Sequence, residues 1–96
     1  MSRVYNFAAG PAMMPEEALE RAAAEMLSYK GTGMSVMEMS HRGSQFKEIH
    51  ASAKESVKRL LGVPDTHEVL FLQGGATGQF AAVPLNFMTD TGACYA

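Results

Sequence analysis

The sequence predicts an α/β fold in which a parallel or mixed sheet is flanked by helices. Two stretches carry apolar residues at helical spacing, and residues 68–72 form an unbroken β-rich run followed by glycines and another apolar stretch. The predicted order of helix, loop, helix, strand, glycine turn, helix and strand ends in a βαβ arrangement. Because only one strand would be complete, we expect residues 1–96 to be a single incomplete unit that opens a larger domain.

The first predicted helix follows Pro15, a residue tolerated at the first helical position. Glu16 and Glu17 come next, where the positive end of the helix dipole favours acidic side chains. A cation and a glycine, Lys30 and Gly31, predict where this helix ends. Its apolar stripe consists of Ala18, Leu19, Ala22, Ala23, Met26 and Leu27.

A second helix is predicted after a loop and a short extended segment over residues 34–40. Ser44 is its expected N-cap and Gly62 its expected end, with a turn at Pro64 and Asp65. Its apolar stripe consists of Phe46, Ile49, Ala53, Val57, Leu60 and Leu61.

The most informative stretch is the strand, glycine turn and helix that the sequence predicts over residues 68–87. The strand at 68–72 should be buried on both faces, as in a parallel sheet. The apolar helix at 79–87 contains Pro84, which should kink or end it. A further strand should begin at Ala93.

The glycine turn between this strand and helix is a candidate anion-binding loop. Backbone N–H groups and the positive end of a helix dipole meet there, which suits a phosphate. Gly74, Gly75 and Gly78 allow close approach and positive φ, and Thr77 adds a hydroxyl donor. From spacing alone, a plain turn without a ligand is an equal alternative. No lysine follows Gly78 and the glycines are adjacent, which excludes the nucleotide P-loop and the dinucleotide fingerprint.

A second candidate site is the segment from Ser40 to Gly43, which contains His41 and Arg42. The planar guanidinium of arginine suits a carboxylate or a phosphate, although a surface ion pair is the more common use of such a residue. The histidines of the chain do not share the spacing of metal ligands, so no metal site is predicted.

Composition excludes several function classes. A net charge of −2 with dispersed cations gives no electrostatic case for nucleic acid or an anionic membrane. No apolar run approaches the ~20 residues of a membrane span, and the first residues lack the apolar core of a signal peptide. The sole cysteine, Cys94, has no partner for an internal disulfide. We therefore expect a soluble protein in the reducing cytoplasm.

Three motifs, in order, resemble the phosphoserine aminotransferases, which belong to the class-V, fold-type I enzymes that use pyridoxal 5′-phosphate. Residues 6–12, followed by Pro15, are similar to the family's opening segment. Residues 35–43 resemble its substrate-binding segment, and residues 69–86 its cofactor-phosphate loop and helix. The resemblance covers the whole chain but only the opening part of the family's enzyme.

The resemblance implies a transaminase that moves an amino group between glutamate and 3-phosphooxypyruvate, giving phosphoserine and 2-oxoglutarate. This reaction belongs to serine biosynthesis, and in bacteria the family also acts in pyridoxine biosynthesis. The resemblance further implies a homodimer with active sites at the subunit interface. The family's Schiff-base lysine lies beyond residue 96, so we expect no catalytic residue in this segment and no activity from the segment alone.

Residue by residue, the resemblance assigns binding roles to six positions of this chain. Three of these positions are implied to bind the cofactor phosphate in the glycine loop, and the other three are implied to border or bind the substrate. The cofactor group is Gly75, Ala76 and Thr77, and the substrate group is Arg42, His41 and Ala9.

Two alternatives remain open from the sequence. One is a stand-alone phosphate-binding module without catalysis, and the other is a desulfurase or lyase of the same fold type. The segment 40–43 disfavours the desulfurase or lyase, because an added arginine suits a substrate with an extra anion.

Overall fold

A computed structural model describes residues 2–89 and residue 92. Their regular structure is helical: α1 spans Glu16–Ala24, α2 spans Ser44–Leu61 and α3 spans Gly75–Phe87. Two short 3₁₀ turns, Tyr29–Gly31 and Val36–Glu38, lie between α1 and α2. The chain divides into two compact units, Met1–Ala53 and Lys54–Ala96, and the division falls within α2. Within the described part of the chain, no helix combines the length and the apolar character needed to cross a bilayer.

In the first unit, the side chain of Asn6 closes the loop that precedes α1. Its amide nitrogen donates to the Pro11 carbonyl at 2.7 Å, and its amide oxygen accepts from the Ala8 N–H at 3.0 Å. The Asn6 carbonyl also accepts from the Met13 N–H at 2.9 Å. Gly10 allows the tight turn because its φ is +96°. One residue, through its side chain and its carbonyl, therefore holds both ends of this loop.

The prediction that α1 continues to Lys30 is wrong, because α1 ends at Ala24. Ser28 is extended, with φ −160°, and Tyr29 is buried with 8% of its surface exposed. The Tyr29 N–H donates to the Met34 carbonyl at 2.9 Å, which closes a loop that a continuing helix would not permit. Burial of the aromatic ring and loop closure therefore override the helical spacing of the sequence.

The extended segment predicted over residues 34–40 is also wrong, because a 3₁₀ turn occupies Val36–Glu38. The Glu38 carboxylate accepts from the Ser35 N–H at 2.8 Å, and Ser35 is buried. This backbone hydrogen bond, helped by the Ser35 side chain, holds the pKa of Glu38 below its ordinary value. A local capping interaction thus replaces the extended conformation.

The prediction of α2 is confirmed in extent but not in its N-cap. The helix spans Ser44–Leu61 and stops at Gly62, whose φ is +61°. However, Ser44 is already helical, and the carbonyl of Gly43 accepts the first bond from the Lys47 N–H at 3.0 Å. Gly43 therefore has the capping position that the sequence assigned to Ser44.

In the second unit, the predicted strand at 68–72 does not form. Within residues 2–89 and 92 no segment is assigned as a strand, so this stretch has no ladder to join. Leu70 and Leu72 are 64% and 62% exposed, whereas the predicted strand was expected to be buried on both faces. The strand expected to begin at Ala93 lies outside the described residues.

The helix after the glycine turn is longer than predicted. It begins at Gly75, inside the glycine turn, whereas the sequence placed its start at residue 79. Pro84 lies within α3 and does not end it, because the helix continues to Phe87. The Pro84 carbonyl still accepts from the Met88 N–H at 2.7 Å, so the last turn keeps its hydrogen bond.

Candidate functional site

The N-terminus of α3 presents backbone donors that the helix does not use. Gly74 is the N-cap, with φ +96°, and its carbonyl accepts from the Gly78 N–H at 2.9 Å. The N–H groups of Gly75, Ala76 and Thr77 precede this first helical bond, and no acceptor within the described part of the chain contacts them. Such N–H groups, at the positive end of a helix dipole, can bind an anion.

The space around these donors differs sharply between neighbouring glycines. A Cβ built on Gly75, whose φ is +57°, meets nothing within 4 Å. A Cβ on Gly74 would approach the Gly78 Cα to 3.3 Å. Gly74 is therefore needed for the turn itself, whereas Gly75 leaves open space beside the donors.

An open depression of about 490 Å³ lies along this part of the second unit. It brings Gly75 and Ala76 together, while Thr77 is not among its lining residues. Gln79 and Glu68 are lining residues that the sequence did not predict, although the alternation of positions 68, 70 and 72 indicates one shared face. The lining residues are Glu68, Leu70, Leu72, Gly75, Ala76 and Gln79.

Two lysines of α2 neutralise the carboxylate in this lining. Lys54 Nζ lies 2.6 Å from Glu68 Oε1, and Lys58 Nζ lies 3.7 Å from Glu68 Oε2. The lysines are one helical turn apart, so both reach the same carboxylate. Hydrogen bonding to Lys54, followed by the charges of both lysines, holds the pKa of Glu68 below its ordinary value. These ion pairs connect the second half of α2 with the segment that leads to the glycine turn.

In the first unit, His41 and Arg42 are the corner residues of a tight turn immediately before α2. The Gly43 N–H donates to the Ser40 carbonyl at 2.9 Å, and the Arg42 N–H donates to the Ser40 hydroxyl at 3.3 Å. Both corner side chains are exposed. The turn therefore presents an arginine and a histidine to the outside of this unit.

The surface ion pair considered for Arg42 does not occur within residues 2–89 and 92, where no carboxylate pairs with its guanidinium. Ala9 lies in the loop held by Asn6 and is also exposed. No hydrogen bond or ion pair among the described residues joins Ala9 to the 40–43 turn. The guanidinium of Arg42 is thus available to an external anion.

Comparisons with known proteins cover nearly the whole chain. The Aminotransferase class-V family matches residues 4–93. A phosphoserine aminotransferase of Aromatoleum aromaticum is 55% identical over 95 residues, which cover 99% of this chain and 26% of that protein. The phosphoserine aminotransferase of Ralstonia nicotianae is 61% identical over 87 residues, covering 91% of this chain and 23% of that protein. The chain thus spans about a quarter of these relatives' length.

Solved structures agree with this similarity. Phosphoserine aminotransferase from Trichomonas vaginalis, a structure with bound pyridoxal phosphate, superimposes with a TM-score of 0.84 at 51% identity. The alignment covers 92% of this chain and 24% of that one. The enzyme from Bacillus circulans subsp. alkalophilus gives the same TM-score of 0.84 at 53% identity. The predicted fold class is confirmed by this agreement, although the strand at 68–72 is not formed here.

Proposed function

Because this chain belongs to the class-V aminotransferase family, we propose that it supplies the opening quarter of a pyridoxal-phosphate-dependent phosphoserine transaminase. The proposed reaction moves an amino group between glutamate and 3-phosphooxypyruvate. The single observation that carries the proposal is the identity of 55% across 99% of the chain to a phosphoserine aminotransferase. The N–H groups at the start of α3 and the guanidinium of Arg42, which have no acceptor among the described residues, are the features of the chain that suit this chemistry.

The residues at the start of α3 fit the phosphate of the cofactor. Gly75, Ala76 and Thr77 offer N–H groups without an acceptor in the described chain, and Gly75 leaves open space beside them. The bound cofactor would supply the electron sink for chemistry at the substrate α-carbon. The part of this chain is to hold the phosphate by backbone donors and to place the positive end of α3 against it.

Arg42 is proposed to bind the substrate's anionic group, with His41 as its neighbour in the turn. A planar guanidinium can donate two parallel hydrogen bonds to a phosphate or a carboxylate. Among the described residues no carboxylate competes for it. Ala9 is proposed to border the same substrate, which rests on the resemblance and on its exposed place in the opening loop.

Further parts of the proposal concern the whole protein. We propose a homodimer, a cytoplasmic location, a role in serine biosynthesis and a second role in pyridoxine biosynthesis. The expectation that residues 1–96 form one incomplete domain, inactive alone, stays a prediction. Neither catalysis nor proton transfer is assigned to any residue of this segment.

The test is amino transfer by the full-length protein, loaded with pyridoxal phosphate, from O-phospho-L-serine to 2-oxoglutarate. L-serine is the matched control substrate, because it differs only in lacking the phosphate. A large preference for phosphoserine that disappears in Arg42→Ala would support the proposal. Equal use of both amino acids would contradict the assigned substrate.

Two further assays of the full-length protein separate the alternatives. Formation of alanine from cysteine, with sulfide released by an added thiol reductant and no glutamate formed, would indicate a desulfurase. Phosphate binding without turnover of any amino acid would indicate a binding module. Either result would overturn the proposed transamination.

A further inference from the structure

The turn that carries Arg42 depends on a side chain with no assigned role. The Ser40 hydroxyl accepts from the Arg42 N–H at 3.3 Å, while the Ser40 carbonyl accepts from the Gly43 N–H at 2.9 Å. One residue therefore anchors two successive N–H groups of the turn. A serine that bonds the backbone two residues on is a recognised way to stabilise a turn.

The helix that follows makes this anchor effective. The Gly43 carbonyl accepts from the Lys47 N–H at 3.0 Å, so Gly43 is bonded on one side to Ser40 and on the other to α2. Arg42 lies between these two attachments. The direction in which its side chain leaves the backbone is thus set by the Ser40 contacts and by the first turn of α2.

A side chain at Gly43 would crowd the same geometry. A Cβ added there would lie 3.1 Å from the Ser40 carbonyl oxygen, which is tighter than an ordinary contact. Its φ is not positive, so the restriction is steric and does not come from backbone handedness. An alanine at position 43 would therefore force the Ser40 carbonyl, at the other end of the turn, to shift by a few tenths of an ångström.

We propose that Ser40 is a positioning residue for Arg42: its hydroxyl orients the arginine for the substrate's anionic group. The inference rests on the proposed function, because it needs Arg42 to bind that group. Ser40 acts through Arg42 and does not itself contact the substrate. The expected loss is modest, since a neutral hydrogen bond changes an equilibrium by about two- to tenfold.

The experiment measures binding of 3-phosphoglycerate to the full-length holoenzyme by titration calorimetry. This probe has the phosphate and carboxylate but no keto group, so it cannot be transaminated. Ser40→Ala should raise its Kd by about two- to tenfold, and Ser40→Thr, which keeps the hydroxyl, should bind like the wild type. Ser44→Ala is the matched control, because the Ser44 hydroxyl contacts the Gln45 side chain at 3.2 Å.

A double substitution distinguishes positioning from general structural damage. In an Arg42→Ala background, Ser40→Ala should cause no further loss, because its effect passes through the guanidinium. Gly43→Ala, which disturbs the same turn by a different route, should weaken binding like Ser40→Ala. Cofactor absorbance, which a folded holoenzyme retains, should be the same in all these variants.

Three results would overturn the inference. The first is unchanged binding in Ser40→Ala, and the second is an equal loss in Ser44→Ala. The third is a further loss when Ser40→Ala is added to Arg42→Ala. A different result, in which Arg42→Ala alone binds the probe normally, would refute the proposed role of Arg42 and remove the basis of the inference with it.

Discussion

Gly74→Ala should damage the proposed phosphate site more than any other single methyl group added to the glycine turn. Gly74 has φ +96° and ψ −5°, a conformation that L-residues rarely adopt. The new Cβ would also lie 3.3 Å from the Gly78 Cα, a backbone atom that cannot turn aside. Both effects oppose the conformation in which α3 begins at Gly75.

The magnitude follows from the cost of holding alanine in that conformation. Backbone strain of this kind costs about 1–3 kcal/mol. If the strained turn is the form that binds phosphate, the strain reduces the fraction of competent protein and raises the apparent Kd in proportion. With a tenfold change per 1.4 kcal/mol, the Kd for pyridoxal phosphate should rise about five- to 150-fold.

The assay is titration of the full-length apoprotein with pyridoxal phosphate, followed by visible absorbance. Gly78→Ala is the matched control, because it makes the same change one helical turn later. A Cβ on Gly78 lies 3.5 Å from the Gln73 carbonyl oxygen, an ordinary contact, and its φ is not positive. Alanine also favours the helix over glycine by ~1 kcal/mol, so cofactor affinity should be unchanged or improved.

Equal Kd values for Gly74→Ala and the wild type would show that the left-handed turn is not the binding conformation. An equal loss in Gly74→Ala and Gly78→Ala would contradict the argument in another way. It would mean that a side chain at either glycine weakens cofactor binding, whatever the φ of that residue.

Three other predictions concern the charged and polar residues. Arg42→Ala should lower kcat/KM for phosphoserine by roughly ten- to over a hundredfold, since a charge-assisted hydrogen bond contributes ~1.5–3 kcal/mol. Arg42→Lys should keep only part of the wild-type kcat/KM, because lysine lacks the planar fork of arginine. Steady-state kinetics measure kcat/KM for both variants. Loss of cofactor occupancy with unchanged substrate kinetics would show that Arg42 binds the cofactor and not the substrate. Ala76→Asp should strongly weaken cofactor binding, because it places a carboxylate against a phosphate. Ala76→Gly should change cofactor affinity little, and Thr77→Val should cost on the order of 1–3 kcal/mol of cofactor-binding free energy. Fluorescence titration with the cofactor ranks them, and normal affinity in Ala76→Asp would place the phosphate elsewhere. The pKa of Glu68 lies below its ordinary value of 4.5 because Lys54 donates a hydrogen bond to its carboxylate. The ion pair should therefore stabilise the fold above pH 4.5, and this stabilisation should be lost as the pH falls through the lowered pKa of the folded state. Carboxylate NMR of glutamate-labelled protein should show this low value rising in Lys54→Gln, and an unchanged titration would rule out the ion pair.

Local signals in the sequence were sufficient for the features that depend on neighbouring residues. The extent of α2, from Ser44 to its glycine stop at Gly62, follows from helical spacing and the conformational freedom of glycine. The position of the glycine turn was predicted for the same reason. The order of three motifs was enough to indicate the aminotransferase family, which the match over residues 4–93 confirms.

Features that depend on side-chain burial, loop closure or a capping contact were not predictable from helical spacing. The end of α1 was placed at Lys30, but the burial of Tyr29 and its bond to Met34 ended the helix at Ala24. The periodicity of apolar residues likewise does not predict the 3₁₀ turn at Val36–Glu38. Burial of a large side chain contributes about 1.5–3 kcal/mol, which exceeds helix propensities of less than 1 kcal/mol per residue.

The sequence by itself determined the family, the extent of α2 and the position of the glycine turn in which α3 begins. Only the tertiary structure decided that Glu68 shares a depression with Gly75 and Ala76, and that lysines of α2 pair with it. It also decided the conformation of residues 68–72, whose strand-like sequence forms no strand here. The physical reason is that a strand, unlike a helix, satisfies its backbone hydrogen bonds through another segment, and sequence spacing within one segment cannot supply that partner.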